Sequence, residues 1–192
     1  MKFVLATRNP GKIREMNAIL QELGWEAEAL PKDAPEPVED GTSFAENARI
    51  KARSAAKFTG MPAIADDSGL CVDALDGGPG IYSARYCEGT DEDRNDFLLK
   101  NLEGVPAEKR DAHYTAAIAC ILPDGREITV EGRCRGRILA ERHGTGGFGY
   151  DPLFYLPEYG CTFGELPGEE KNKISHRGRA LQALKRELQK LK

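Results

Sequence analysis

Several features are missing from this chain of 192 residues, and each absence removes a class of protein. No run of about 18 apolar residues occurs, so no membrane-spanning helix is expected. The chain opens Met1-Lys2-Phe3-Val4-Leu5-Ala6-Thr7 and turns polar at once, too short an apolar stretch for a signal peptide. Cysteines are few: Cys71, Cys87, Cys120, Cys134 and Cys161 are odd in number, widely spaced and free of any Cys-x-x-Cys pair. Neither a zinc site nor a redox motif is indicated. Buried free thiols in a reducing cytoplasm are the simpler expectation. Positive charge is not in excess, since the formal net charge is −4. That disfavours a general nucleic-acid binder, whereas a small anionic substrate still suits a locally positive pocket. Internal repeats and a dividing linker are also absent, so one domain over residues 1–192 is expected.

What remains is a chain with a core. Apolar residues make up 40% of it and charged residues 30%. Residues 2–6 read as a buried strand, and Ile13, Met16, Ile19, Leu20 and Leu23 recur at helical spacing until Gly24. A second strand is expected over 25–30, then an acidic, proline-rich loop over 31–41. Ser43 with Glu46 three residues on predicts a capping box for a helix to about Phe58. Ala63-Ile64-Ala65 reads as a third strand that delivers Asp66-Asp67 at its end. Residues 71–90 are glycine-rich and irregular, and Asp91 is placed as the cap of a helix over 92–102. An apolar strand over 113–122, a turn at Pro123-Asp124-Gly125-Arg126 and an alternating return over 127–134 predict a hairpin. A last helix starts near Ser175. Alternating strands and helices with a hairpin predict an α/β fold with a mixed sheet.

Four polar clusters carry the chemistry. Thr7-Arg8-Asn9-Pro10-Gly11-Lys12 lies between a strand and a helix, where unpaired backbone N–H groups stabilise an anion and Lys12 adds a full charge. It is no P-loop, because Ala6 stands where that motif has glycine and Ile13 where it has Ser or Thr. Its bland reading is a capped turn with an exposed lysine. Asp66-Asp67-Ser68-Gly69 offers adjacent carboxylates, which on a strand point to opposite faces and so do different jobs. One of them can bind a hard cation or orient water as a base; the alternative is a plain turn. Glu39 in the acidic loop is a candidate to complete a metal site, and a solvated loop is the alternative.

Gly144-Thr145-Gly146-Gly147-Phe148-Gly149 has the spacing of a dinucleotide fingerprint, yet Tyr150-Asp151-Pro152 follows where a helix should open. A loop presenting Phe148 as a stacking surface, with Asp151 as acceptor, is the better reading; core packing of Phe148 and Tyr150 is the other. In Ser175-His176-Arg177-Gly178, cationic side chains in a first helical turn oppose the helix dipole, which suggests that they face an acceptor. Lys171 lies just upstream. Arg49, Lys51, Arg53 and Lys57 read as a solvated helix face.

Taken together these motifs resemble the non-canonical purine nucleoside triphosphate pyrophosphatases, the inosine/xanthosine triphosphatase family. The resemblance rests on Thr7-x-Asn9-x-x-Lys12, Phe44-x-Glu46-Asn47-Ala48, Ala65-Asp66-Asp67-Ser68-Gly69-Leu70, Pro79-Gly80-Ile81-Tyr82-Ser83-Ala84-Arg85-Tyr86, Gly146-Gly147-Phe148-Gly149-Tyr150-Asp151-Pro152 and Ser175-His176-Arg177-Gly178, in that order. It implies hydrolysis of ITP, dITP or XTP to the monophosphate and pyrophosphate with Mg²⁺. It further implies an elongated central sheet flanked by helices, two lobes around a substrate cleft, and a homodimer. By the family pattern Asp67 is the general base and a metal ligand, with Glu39 as a second metal candidate. Thr7, Arg8, Asn9, Pro10, Gly11, Lys12 and Ser68 would hold the triphosphate. Phe148, Gly149, Tyr150, Asp151, Lys171, His176 and Arg177 would form the base pocket. A pyrophosphatase for other modified nucleotides, or a nucleotide-binding module without catalysis, are the alternatives.

Overall fold

The computed structural model describes residues 1–191. Seven strands and five α-helices follow in the order β1 (Lys2–Leu5), α1 (Pro10–Glu22), β2 (Glu26–Ala29), α2 (Phe44–Thr59), β3 (Ala63–Val72), α3 (Asp91–Asn101), β4 (Asp111–Ile121), β5 (Glu127–Ile138), β6 (Phe154–Leu156), β7 (Cys161–Thr162), α4 (Gly168–Ile174) and α5 (His176–Gln189). The strands form one sheet in the order β2-β1-β3-β4-β5-β6-β7. β1 is parallel to β2 and β3, while β6 is antiparallel to both β5 and β7, so the sheet is mixed as the sequence predicts.

The described residues divide into two compact units: 1–67, 116–132 and 176–191 in the first, 68–115 and 133–175 in the second. β3, β4 and β5 each contribute residues to both. The first unit is layered because its strands alternate. Phe3 and Leu5 of β1, Ile64 of β3, and Ala116, Ile118 and Cys120 of β4 pack with Met16 and Leu20 of α1 and Leu181 and Leu184 of α5. Their neighbours Val4, Ala63, Ala65, Ala117 and Ala119 pack with Ala48, Ala52 and Ala55 of α2. Period-two strands therefore feed one helix layer on each face. Small alanines on the α2 side let that helix lie close. Gly132 of β5 does the same for α5, since a Cβ there would collide with the carbonyl of His176 and the amide of Ala180. In the second unit Leu70 and Val72 of β3, Leu98 of α3, Leu102 just beyond it and Ile138 of β5 enclose Tyr114, Phe154 and Phe163. Phe154 lies 4.6 Å from Tyr114 and 5.1 Å from Phe163, ring centre to ring centre.

Local boundaries differ from expectation in instructive ways. β3 does not stop at Ala65 but runs through Asp66, Asp67 and Ser68 to Val72, so the carboxylates sit in mid-strand. Thr90, not Asp91, caps α3: its hydroxyl accepts from Asp93 N–H while the Asp93 carboxylate accepts from Thr90 N–H. Ser43 caps α2 as expected, but Glu46 turns its carboxylate to the amide and hydroxyl of Thr42. Residues 168–174 form α4, an element the sequence reading did not assign.

Candidate active site

In the first unit, charge is gathered around β3. Side-chain alternation sends Asp66 toward the α1 and α5 layer and Asp67 toward α2. Asp66 has no solvent exposure. Its Oδ1 lies 2.7 Å from Lys12 Nζ, and its two oxygens are each 3.3 Å from Nη2 and Nε of Arg177. Arg177 Nη1 donates to Glu15 Oε2. A buried carboxylate is normally pushed up by desolvation, but Arg177 and Lys12 overcome that and hold Asp66 well below the usual range. Arg177 moves up although burial opposes it, because Asp66 and Glu15 favour its charge. Burial, the dominant influence, lowers Lys12, with Asp66 opposing.

On the other side of the strand, Asp67 Oδ1 accepts from Lys51 Nζ at 3.1 Å. Lys51 also lies 3.2 Å from Glu39 Oε2. Lys51 is therefore a bridging cation with a side chain only 13% exposed, and its expected place on a solvated face is corrected. Burial raises Asp67 above the ordinary carboxylate range, and Lys51 and Lys12 only partly offset it. Its Oδ2 is buried and has no hydrogen-bond partner. Such an oxygen is costly unless something else meets it. Lys51 itself is pushed up: burial lowers it, but Asp67 and Glu39 outweigh burial.

The turn that delivers Lys12 builds itself. Asn9 caps α1, its Oδ1 accepting from Lys12 N–H at 3.1 Å, and Thr7 Oγ1 accepts from Asn9 N–H at 3.2 Å. Pro10 is the first helical residue, where its missing N–H costs nothing. Gly11 is buried in the first turn. Arg8 spends its guanidinium on the carbonyl of Ala34 at 2.7 Å, which ties down the 31–34 loop.

The second unit holds a buried ion pair among aromatics. Lys171 of α4 lies 2.6 Å from Asp151 Oδ2, with both side chains 4% exposed. The Lys171 ammonium sits 5.0 Å from the centre of the Phe148 ring and 5.3 Å from that of Phe163, in the range of a cation–π contact. Asp151 also accepts from Phe148 N–H at 3.0 Å and from the Tyr114 hydroxyl at 3.3 Å. Gly147 has φ +70°, and a Cβ there would collide with the Asp151 carboxylate. Phe148 stays half-buried, while Tyr150 is buried and donates its hydroxyl to the Ser83 carbonyl at 2.7 Å. Tyr150 is thus an anchor of the loop, as the core-packing alternative supposed, and burial raises its phenol. Ser68 is half-buried in β3 beside Asp67, and His176 is buried in the first turn of α5.

The structure thus brings Lys12, Asp66, Glu15 and Arg177 together, and likewise Glu39, Lys51 and Asp67, and likewise Phe148, Asp151 and Lys171. Glu15 and Lys51 were missed because each looks like an ordinary helix-surface charge among others on its helix. Among the described residues, no three His, Cys, Asp or Glu side chains gather in a way that could hold a metal by themselves.

The sequence pattern of the Ham1 family matches residues 3–187, and the chain belongs to that family. The dITP/XTP pyrophosphatase of Geobacter sulfurreducens is 54% identical over 188 residues, covering 96% of this chain and 94% of that protein. The HAM1 protein from Coxiella burnetii superposes with a TM-score of 0.87 at 40% identity, over 99% of each chain. The Ham1 protein of Staphylococcus aureus gives 0.87 at 36% identity over 100% of each.

Proposed function

We propose that the protein is a nucleoside triphosphate pyrophosphatase that hydrolyses ITP, dITP and XTP to the monophosphate and pyrophosphate, clearing them from the nucleotide pool. The observation that carries the mechanism is the division of labour on β3: Asp66 is neutralised by two cations, while Asp67 keeps a buried oxygen unmet. Two adjacent residues of one type thereby acquire opposite chemistry. Asp66 positions Lys12 and Arg177. Asp67, raised by burial, is a better proton acceptor than a free aspartate and suits the role of general base for the attacking water. Attack falls on the α-phosphorus, and the proton of the water passes to Asp67 as the bond to the pyrophosphate oxygen breaks.

Lys12, with the partial positive charge of the α1 N-terminus, suits the phosphate chain. Ser68 is proposed to contribute its hydroxyl there as well. Thr7, Asn9, Pro10 and Gly11 serve by shaping the turn, and Arg8 by bracing the loop that leads to Glu39. The donor set also fits Mg²⁺, which takes hard oxygen ligands, needs only one or two carboxylates and completes its shell with water and phosphate. Glu39, with Asp67, would hold it. When bound, the ion supplies charge neutralisation on the phosphate oxygens.

For the base, Phe148 supplies a stacking face, and Gly149 and Tyr150 fix the loop that carries it. Lys171, held by Asp151, supplies donors for the 6-oxo group of hypoxanthine and xanthine; His176, in the first unit, is proposed separately as a substrate-binding residue. Adenine would set its 6-amino donor against them, and unpaired buried donors make such discrimination steep. Arg177 acts through Asp66 and Glu15. The free state of all five cysteines accords with a reducing, cytoplasmic setting, and no helix among the described residues is long and apolar enough to cross a membrane. The family resemblance supports a homodimer. The test is product analysis from ITP with Mg²⁺. Inosine monophosphate and pyrophosphate in equal amounts are expected. Release of orthophosphate, or binding without turnover, would refute the proposal in favour of another hydrolase or a binding module; faster turnover of another modified nucleotide would refute the named substrates.

A further inference from the structure

We propose that the first two turns of α3 set base selectivity by clamping the loop that carries Phe148, with Asp91 and Asn95 as positioning residues. Residues four apart share one face of a helix, and here they take both backbone groups of Gly149. Gly149 N–H donates to Asp91 Oδ2 at 2.8 Å, and Asn95 Nδ2 donates to the Gly149 carbonyl at 2.9 Å. The second N–H of the Asn95 amide reaches the Asp91 carbonyl at 2.6 Å, so both amide hydrogens are committed. The next pair on the same helix holds the other end of the loop: Arg142 Nη2 donates to Asp96 Oδ1 at 2.6 Å and to the Glu92 carbonyl at 2.9 Å.

Between those two fixings the chain is exposed at residues 143–147, and Phe148 follows directly. Phe148 is therefore placed from two sides: Asp151 takes its own N–H, and α3 takes the peptide groups of the next residue. Asn95 is 2% exposed, and its Oδ1 is buried without a partner. An apolar residue would avoid that unmet acceptor, so the amide is retained for what its N–H groups hold. None of Asp91, Asn95 and Arg142 belongs to the motifs that mark the site in the sequence. A positioning shift of about 1 Å costs on the order of 100-fold in a site that depends on geometry, so loosening this clamp should be felt at the base and not at the phosphorus.

The inference rests on the reading of the Phe148 loop as the base site. Initial rates of pyrophosphate release from ITP and ATP, with the full-length protein and Mg²⁺, test it on Asp91→Ala, Asp91→Asn, Asn95→Ala and Phe148→Ala. Asn95→Ala and Asp91→Ala should each raise KM for ITP roughly tenfold and shrink the ITP-to-ATP ratio of kcat/KM by a similar factor, within the loss expected for misplacement. The ITP kcat should stay within about twofold, because the clamp binds no reacting atom. Asp91→Asn retains an acceptor for Gly149 N–H and should restore most of the selectivity that Asp91→Ala loses. A role in helix stability alone would instead leave the ratio at the wild-type value in every α3 variant, and that result overturns the clamp. If Phe148→Ala also leaves KM and the ratio untouched, the base-site reading fails with it; if Phe148→Ala alone changes them, only the clamp fails. Should Asn95→Ala not fold, Asp91→Ala decides the matter, since Asp91 is exposed.

Discussion

Replacing Asp66 by asparagine removes one negative charge and almost no volume from the centre of the first unit. Asp66 is fully buried, and its partners Lys12 and Arg177 have side chains only 15% and 1% exposed. Water cannot take over as counter-charge, so the discount for solvent-exposed pairs does not apply. Arg177 keeps Glu15. Lys12 loses its 2.7 Å partner and faces Arg177 and Lys51, both of which already disfavour its charge. Removing one partner of a buried pair costs about 3–5 kcal/mol. For a chain of this length each kcal/mol lowers Tm by about 2–4 °C, so a fall of roughly 6–20 °C is expected. Urea unfolding of wild type, Asp66→Asn, Lys12→Met and the double variant measures the coupling directly. The double variant should lose less than the sum of the single ones, because the lone charge is gone. A loss below about 1 kcal/mol in Asp66→Asn, with additive effects, would mean that the pair behaves as a surface ion pair and that Asp66 is not the hub described.

Other outcomes follow from the same geometry. Asp67→Asn should still bind ITP in equilibrium dialysis, weakened only by the loss of one Mg²⁺ ligand, yet turn over slower by about 10²–10⁴-fold, the usual worth of a general base; near-normal kcat would remove Asp67 from the chemistry. Gly147→Ala puts a methyl onto the Asp151 carboxylate at φ +70°, so KM for ITP should rise and the Lys171–Asp151 pair should loosen, visible as a lowered Tm; wild-type values for both would show the loop to be free. The Cys120 thiol is pushed up to about 12 by burial, from 9.0 for an exposed thiol. The folded state therefore keeps a proton that the unfolded state loses. Stability from this group is intact below pH 9, falls by about 1.4 kcal/mol per pH unit above it, and is fully lost by about pH 12. Cys120→Ala should flatten that alkaline decline in urea titrations; an unchanged slope would place the proton elsewhere.

The layered core was legible because β1 and β3 carry plain apolar runs and α1 repeats apolar residues at helical spacing. The opposite facing of Asp66 and Asp67 was also legible, since successive strand side chains alternate, and the structure sets aside the plain-turn alternative by keeping both in β3. What the sequence hid were roles set by distance along the chain. Lys51 reads as a surface lysine until residue 39 and residue 67 arrive on either side of it. Glu15 reads as a helix-face acid until α5 brings Arg177 to it. An end of β3 at Ala65 is expected because charged residues rarely continue a buried strand, yet the half-buried Lys12 and Lys51 and the buried Arg177 neutralise those carboxylates and let the strand run on. α4 is only seven residues long, with no side-chain cap and little periodicity to read. Asp91 looked like a cap, whereas Thr90 fills that role and leaves Asp91 to hold Gly149.

The most direct test of the whole account is a substrate panel. Purified protein with Mg²⁺ is given ITP, dITP, XTP, GTP and ATP, and pyrophosphate and nucleoside monophosphate are measured together. The account predicts both products in equal amounts from ITP, dITP and XTP, with kcat/KM at least about 100-fold above that for ATP. Equal rates on ATP, or orthophosphate as the first product, would contradict it.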